Sequence, residues 1–229
     1  MKKTLLITAS LLLLFAFTPN VMAQEEEEAS SWGASLDIYS SYIWRGTKFG
    51  TGAAFQPGVE FSTGAFAIGG WGSVSTGSEE AFEMDLYASY SIGAFSVGLT
   101  DYYFGGDWTE YDANHYLEPS ISFGAGDFSI AGYYMLLPAT DATDEESATS
   151  FGDEGDIYFE AGYSFKNIDI TLGAGDGQYT SDGDFTICNI GIGTSKDIKL
   201  TESFSLPLSG AVILNPSTGG FFIAVGISL

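Results

Sequence analysis

Gly64-Ala65-Phe66-Ala67-Ile68, Gly93-Ala94-Phe95-Ser96-Val97 and Gly126-Asp127-Phe128-Ser129-Ile130 repeat one pattern: a glycine, a short residue, a phenylalanine, then small or polar residues alternating with aliphatic ones. The starts lie 29 and 33 residues apart, room for two strands of roughly 10 residues with their connections. Each glycine closes a hairpin and each phenylalanine opens the returning strand. Repeated hairpins of this length are the signature of an up-and-down antiparallel β-barrel.

The residues before the repeats say where such a barrel belongs. Lys2 and Lys3 precede an apolar-rich run from Leu5 to Phe17, and Val21-Met22-Ala23 ends in the small residue that a signal peptidase reads. The expected division is a signal peptide over 1–23, an acidic tail over 24–31 and one barrel over 32–229. The apolar run is interrupted by Thr8 and Ser10 and falls short of the roughly 20 residues that a spanning helix needs. No later segment approaches that length. A mature chain that crosses a membrane therefore does so as a closed barrel, in which every backbone group is paired.

Charge narrows the partners. The chain carries 30 acidic residues and a formal net charge of −23, and beyond the signal its cations are Arg45, Lys48, Lys166, Lys196 and Lys199. Nucleic acid is excluded as a partner on electrostatic grounds. Cys188 is the sole cysteine, so it forms no internal disulfide, and it is far from the cleavage site where a lipid anchor would attach. Glu25 to Glu28 read as a solvated tail with no specific role.

Period-two alternation fills the rest of the chain, so the fold class is all-β. Phe82, Met84, Leu86, Ala88 and Tyr90 alternate with Glu83, Asp85, Tyr87 and Ser89, and the first strand sets Trp32, Ala34, Leu36, Ile38, Tyr42 and Trp44 on one face. Twelve strands are expected, near 32–44, 53–63, 65–75, 81–91, 94–104, 114–123, 127–137, 156–165, 168–175, 184–194, 202–214 and 221–229. Every second strand up to the eighth ends in a tight turn, while the alternate connections are longer, that from Pro138 to Gly155 being long and acidic. Short turns on one side and long polar loops on the other are the outer-membrane arrangement, with the loops outside the cell.

Rings beside the tight turns, Phe61, Phe66, Phe95, Phe123, Phe128 and Phe165, read as an interfacial girdle at one height. Trp44, where the first strand would leave the bilayer, reads as an anchor at the other interface. The last strand puts Phe221, Ile223, Val225, Ile227 and Leu229 outward, like the insertion signal of such barrels, except that the final residue is Leu229 where an aromatic is usual. Between Ile187 and Ile190 the outward parity switches, which predicts a bulge or shifted register near Cys188.

Ser41-Tyr42-Ile43-Trp44-Arg45-Gly46, then Gln56-Pro57-Gly58 and Gly70-Trp71-Gly72-Ser73, resemble the opening of the TorF-family porins of Gram-negative bacteria. Thr100-Asp101-Tyr102-Tyr103-Phe104 and Asn215-Pro216 resemble its Bacteroidetes-type members. The resemblance spans nearly the whole mature chain and implies an outer-membrane barrel with a pore. It does not supply a solute.

Inward parity collects Asp37, Glu60, Glu83, Asp85, Glu118, Asp156, Glu160 and Asp169 as candidate pore-lining residues, together with Arg45. A water-filled lumen with that many carboxylates concentrates cations. The competing arrangement is a plugged interior, because twelve strands lie between filled and open barrel sizes. Arg45 is expected to pair with Glu83, Asp85 or Glu60, or else to attract an anionic group. The acidic loops Asp141 to Asp156 and Asp176 to Asp184 lack EF-hand spacing, so no metal and no cofactor is assigned.

The expected function is a passive, cation-preferring channel for small hydrophilic solutes, not an enzyme, in an outer membrane. Its partners are the lipid bilayer, lipopolysaccharide and, during insertion, the barrel-assembly machinery. The alternative is a closed structural or adhesion barrel presenting acidic loops. The third reading is a lipid hydrolase, which would have to use His115, the sole histidine, at outward parity with no nucleophile motif.

Overall fold

The computed structural model describes residues 30–78, 81–136, 155–202 and 204–229. The expected signal peptide, most of the expected acidic tail and residues 137–154 lie outside the described residues. Twelve strands close into one antiparallel barrel: β1 (Ser31–Tyr39), β4 (Ala54–Thr63), β5 (Phe66–Ser75), β6 (Phe82–Ile92), β7 (Phe95–Tyr103), β8 (His115–Ala125), β9 (Phe128–Met135), β10 (Asp156–Phe165), β11 (Ile168–Gly175), β12 (Thr186–Lys199), β13 (Ser205–Asn215) and β14 (Gly220–Ser228). Two further strands, β2 (Tyr42–Trp44) and β3 (Thr47–Phe49), pair only with each other. A four-residue helix, Tyr111–Asn114, lies in the β7–β8 connection.

The repeated glycines are turn residues. Thr63 pairs with Phe66 and Ile92 with Phe95, leaving two-residue turns whose first members, Gly64 and Gly93, have φ of +56° and +60°. A positive φ there matches the right-handed twist of the flanking strands. Lys166 takes the same place between β10 and β11 with φ +58°, so the fourth turn is made without glycine.

Parity along the strands holds as the alternation predicts. Leu86, Val97, Leu99, Ile121, Ile130, Leu172 and Ile223 are exposed on the outer wall, whereas Glu83, Asp85, Ser96, Glu118 and Ser122 are buried within. Apolar outside and polar inside inverts a soluble barrel and fits a wall standing in lipid. Phe66, Phe95, Phe128 and Phe165 are exposed on that outer wall at the turn end; Phe61 packs on Trp32 and Phe123 on Phe95. Among the described residues no helix is long and apolar enough to cross a membrane.

Two features depart from regular pairing. Opposite Gly173 and Ala174 the register of β12 shifts, and Cys188 and Asn189 are both buried. One extra residue therefore returns Ile190 and Ile192 to the side that Phe185 and Ile187 occupy, as the parity switch requires. The seam is the second feature. β1 joins β14 through three pairs, Asp37 with Ser228, Ile38 with Ile227 and Tyr39 with Gly226. Backbone bonds between Leu36 and Leu229 and from Ser40 N–H to the Val225 carbonyl extend it at either end.

The first strand is shorter than its alternation suggests. It ends at Tyr39 rather than at residue 44, and the chain then turns into the lumen.

If the exposed aliphatic face stands in lipid, Leu86→Arg, near the middle of β6, is expected to lower stability in vesicles by about 2–4 kcal/mol. On a water-facing wall the same exchange changes it by less than about 0.5 kcal/mol. Urea titration of the refolded barrel in lipid vesicles, read by tryptophan fluorescence, separates the two.

Candidate functional site

The segment Tyr42-Ile43-Trp44-Arg45-Gly46-Thr47-Lys48-Phe49 is aromatic and β-branched on both sides of a two-residue turn. Trp44 pairs with Thr47, and Arg45 and Gly46 have φ of +48° and +81°. Two successive positive φ values make a type I′ hairpin, the turn that a tight β-ribbon favours. This ribbon lies inside the barrel. Tyr42 and Trp44 are each 4% exposed, so both are interior residues, and the expectation of Trp44 as an interfacial anchor is overturned. The two rings keep the parity of Ile38, but beyond Ser40-Ser41 the chain has left the wall.

One face of the hairpin seats on the β13–β14 wall through Ile43, packed with Ile213 and Ala224. The other face presents Tyr42 to Trp71 and Trp44 to Tyr102, with ring centroids 5.7 and 5.9 Å apart. The tip rests on the β12 bulge. A Cβ at Gly46 would collide with the carbonyl oxygen of Cys188, so the tip needs glycine for its close approach as well as for its φ.

Arg45, the sole arginine of the chain, crosses the lumen from this tip. It meets Glu118 on β8 in a fork, Nη1 donating to Oε2 at 2.5 Å and Nη2 to Oε1 at 2.8 Å. Nη1 also donates to the Tyr179 hydroxyl at 2.7 Å, and the Tyr102 hydroxyl donates to Glu118 Oε1 at 2.9 Å. The guanidinium carbon lies 4.0 Å from the centroid of Tyr133, 4.5 Å from Trp44, 4.6 Å from Tyr158 and 5.6 Å from Tyr179. A bidentate ion pair ringed by aromatic faces is a favourable setting for a desolvated guanidinium. The predicted partners Glu83, Asp85 and Glu60 are therefore replaced by Glu118.

Tyr179 comes from the β11–β12 connection, which folds inward. Asp176 Oδ1 accepts the Ile157 N–H at 2.6 Å, Asp156 Oδ2 accepts the Gln178 N–H at 3.1 Å, and Asn215 Nδ2 donates to the Tyr179 carbonyl at 3.2 Å. These acids shape a turn, Gly177–Tyr179. Burial pushes the Tyr179 phenol up, with Arg45 acting the other way.

The candidate lining residues divide along the axis. Asp37, Glu83, Asp85, Glu118 and Asp156 are buried in the half nearer the loops, under or beside the hairpin. The Tyr42 hydroxyl is hydrogen-bonded to Glu83, a second tie between hairpin and wall. Glu160 and Asp169 are half-buried and Glu60 is exposed. Tyr87 donates to Glu60 at 3.1 Å, Tyr158 to Glu160 at 2.7 Å and Ser164 to Asp169 at 2.7 Å. The turn half of the interior is lined mainly by small residues, among them Ser89, Gly98, Ser120 and Gly191.

His115 does not face lipid freely. It shares outward parity with exposed Ile121, yet it is buried under the β7–β8 connection. Nδ1 lies 3.0 Å from both oxygens of Asp101, Nε2 lies 3.1 Å from the Trp108 carbonyl, and the ring stacks on Tyr111 at 4.0 Å. Both ring nitrogens are engaged in fastening this loop to the outer wall, and among the described residues neither is turned toward a hydroxyl nucleophile. Asp101 at outward parity among Val97, Leu99 and Tyr103 was the sequence signal for such a covered pair.

The family model described as a bacterial protein of unknown function (Gcw_chp) matches residues 23–206. The chain belongs to that family. No functionally curated protein matches it in sequence. Among solved structures it is similar to a substituted form of the Rh. blastica porin, at 13% identity and a TM-score of 0.43, over 77% of this chain and 55% of that one. It is also similar to the Salmonella typhi outer membrane phospholipase dimer with bound calcium, at 13% identity and a TM-score of 0.45, over 85% of this chain and 88% of that one. The Escherichia coli outer membrane phospholipase A gives 11%, 0.44, 85% and 88%. The chain spans about half the length of the porin it matches. Likeness at these scores says nothing of activity.

Arg45→Met leaves the Glu118 carboxylate buried without its partner and is expected to cost about 3–5 kcal/mol, most of it recovered in Arg45→Met with Glu118→Met. Urea titration of the two variants checks this. Gly46→Val is expected to lift the tip off the bulge, and maleimide labelling of Cys188 in the folded barrel should then proceed where the unaltered protein resists it.

Proposed function

We propose that the protein is an outer-membrane channel for small hydrophilic solutes, brought there by a cleaved signal peptide and inserted by the barrel-assembly machinery. Its lumen prefers cations, and the Tyr42–Phe49 hairpin closes it at the end facing lipopolysaccharide and the outside. The observation that carries this reading is the nature of the filling. The loop half is occupied by a ribbon that is not part of the wall, joined to it by short linkers at Ser40-Ser41 and Gly50 to Ala53, while the wall's inward acids outnumber the two cations that the ribbon carries, Arg45 and Lys48. Fixed carboxylates in a low-dielectric tube raise the local cation concentration once water enters. The resemblance of Ser41 to Gly46 and its companions to TorF-family porins supports the same reading.

A second reading, a permanently closed structural or adhesion barrel, draws support from the apolar seat of Ile43 and the buried fork on Glu118. Conductance decides between them. Planar bilayers containing the refolded mature protein are expected to show discrete openings with a cation-selective reversal potential across a KCl gradient. Arg45→Ala should open more often, and Glu60→Gln with Glu160→Gln should move the reversal potential toward zero. Folded but silent barrels for both the unaltered protein and Arg45→Ala would put the structural reading first.

A further inference from the structure

Most of the seat that receives Arg45 is built outside the hairpin. Of the groups around the guanidinium, only Trp44 travels with it; Glu118, Tyr102, Tyr133 and Tyr158 stand on four wall strands, and Tyr179 on the infolded turn. Several of them are fastened by groups outside the hairpin. Tyr158 is held by Glu160 and by Asn189 Nδ2 at 3.0 Å, and Tyr179 by Asn215 through its carbonyl. The carboxylate receives a third bond from Tyr102, which fixes its orientation. With the hairpin withdrawn, what remains is a carboxylate presenting two oxygens to the lumen between aromatic faces.

That arrangement selects for one chemistry. Two parallel N–H donors on a planar, delocalised cation match the fork and can lie against the rings, whereas an ammonium reaches the carboxylate only as a point charge. We propose that the Glu118–tyrosine seat is a binding subsite for guanidinium groups of solutes, filled in the closed barrel by the chain's own Arg45. A guanidinium-bearing solute competes with Arg45 for the seat, and its occupancy favours release of the hairpin. The proposal rests on the channel reading for its role in transport, but the binding chemistry stands apart from it.

Methylguanidinium is the probe, with methylammonium at equal concentration as the control. In refolded Arg45→Ala, methylguanidinium is expected to raise the urea midpoint by filling the vacated seat, with a preference over methylammonium of roughly tenfold to a hundredfold in half-saturating concentration. The added substitution Glu118→Gln should abolish the preference. In the unaltered protein, methylguanidinium and not methylammonium should speed maleimide labelling of Cys188, which lies under the hairpin tip, while the fraction of folded barrel on unheated gels stays constant. This second measurement needs no variant, so it holds if Arg45→Ala fails to fold. Equal effects of the two cations in both measurements overturn the seat, even where currents are recorded. Selective binding with silent bilayers supports the seat and overturns the channel.

Discussion

A peptide group in hydrocarbon has no water to bond, and the wall of this protein is organised by that constraint. A sheet standing in lipid can leave no edge, so the twelve strands must close on themselves, and closure commits every residue to an inside or an outside by parity alone. The exposed Leu86, Val97, Ile121 and Ile223 on one parity and the buried Glu83, Glu118 and Ser122 on the other are its direct result. The polar interior then sets the next problem, since carboxylates taken out of bulk water need partners.

The chain solves that problem unevenly. In the turn half, small residues leave Glu60 exposed and Glu160 and Asp169 half-buried, with tyrosine or serine hydroxyls as donors. In the loop half the acids are buried, and one of them, Glu118, is met by a cation that the wall itself does not supply. Arg45 arrives on a ribbon that had to leave the wall to deliver it. The ribbon meets the irregular parts of the barrel: the β12 bulge at Cys188 receives its glycine tip, and the connection that ends in Tyr179 folds in to complete the ring of aromatic faces. The features that look irregular in the barrel belong to the docking of one hairpin.

What could be read from the sequence follows from what is local. Turn glycines and parity are local, so the strand number, the inside and outside faces and the bulge near Cys188 were all legible. The hairpin was not, because Tyr42 and Trp44 continue the parity of Ile38 and the alternation runs on through the point where the chain leaves the wall. The warning signs were Ser40-Ser41, which interrupts the apolar face, and Arg45-Gly46, whose second residue suits a two-residue turn without being the familiar Asn-Gly. The partner of Arg45 was out of reach for a different reason. Parity tells which way Glu118 points, but not its height or its position around the barrel, and only the register across β6, β7 and β8 sets those.

The three-pair seam has a consequence for how the molecule is made. β1 and β14 are at opposite ends of the chain, and the hairpin is spliced between β1 and β4, so its chain is tethered to wall strands on both sides of the splice. The support for its tip and for Ile43, however, comes from β12, β13 and β14. The ribbon therefore gains its full complement of neighbours only when the two termini of the barrel meet. Sealing the wall thus also completes the support of the hairpin, and both join residues nearly the whole chain apart.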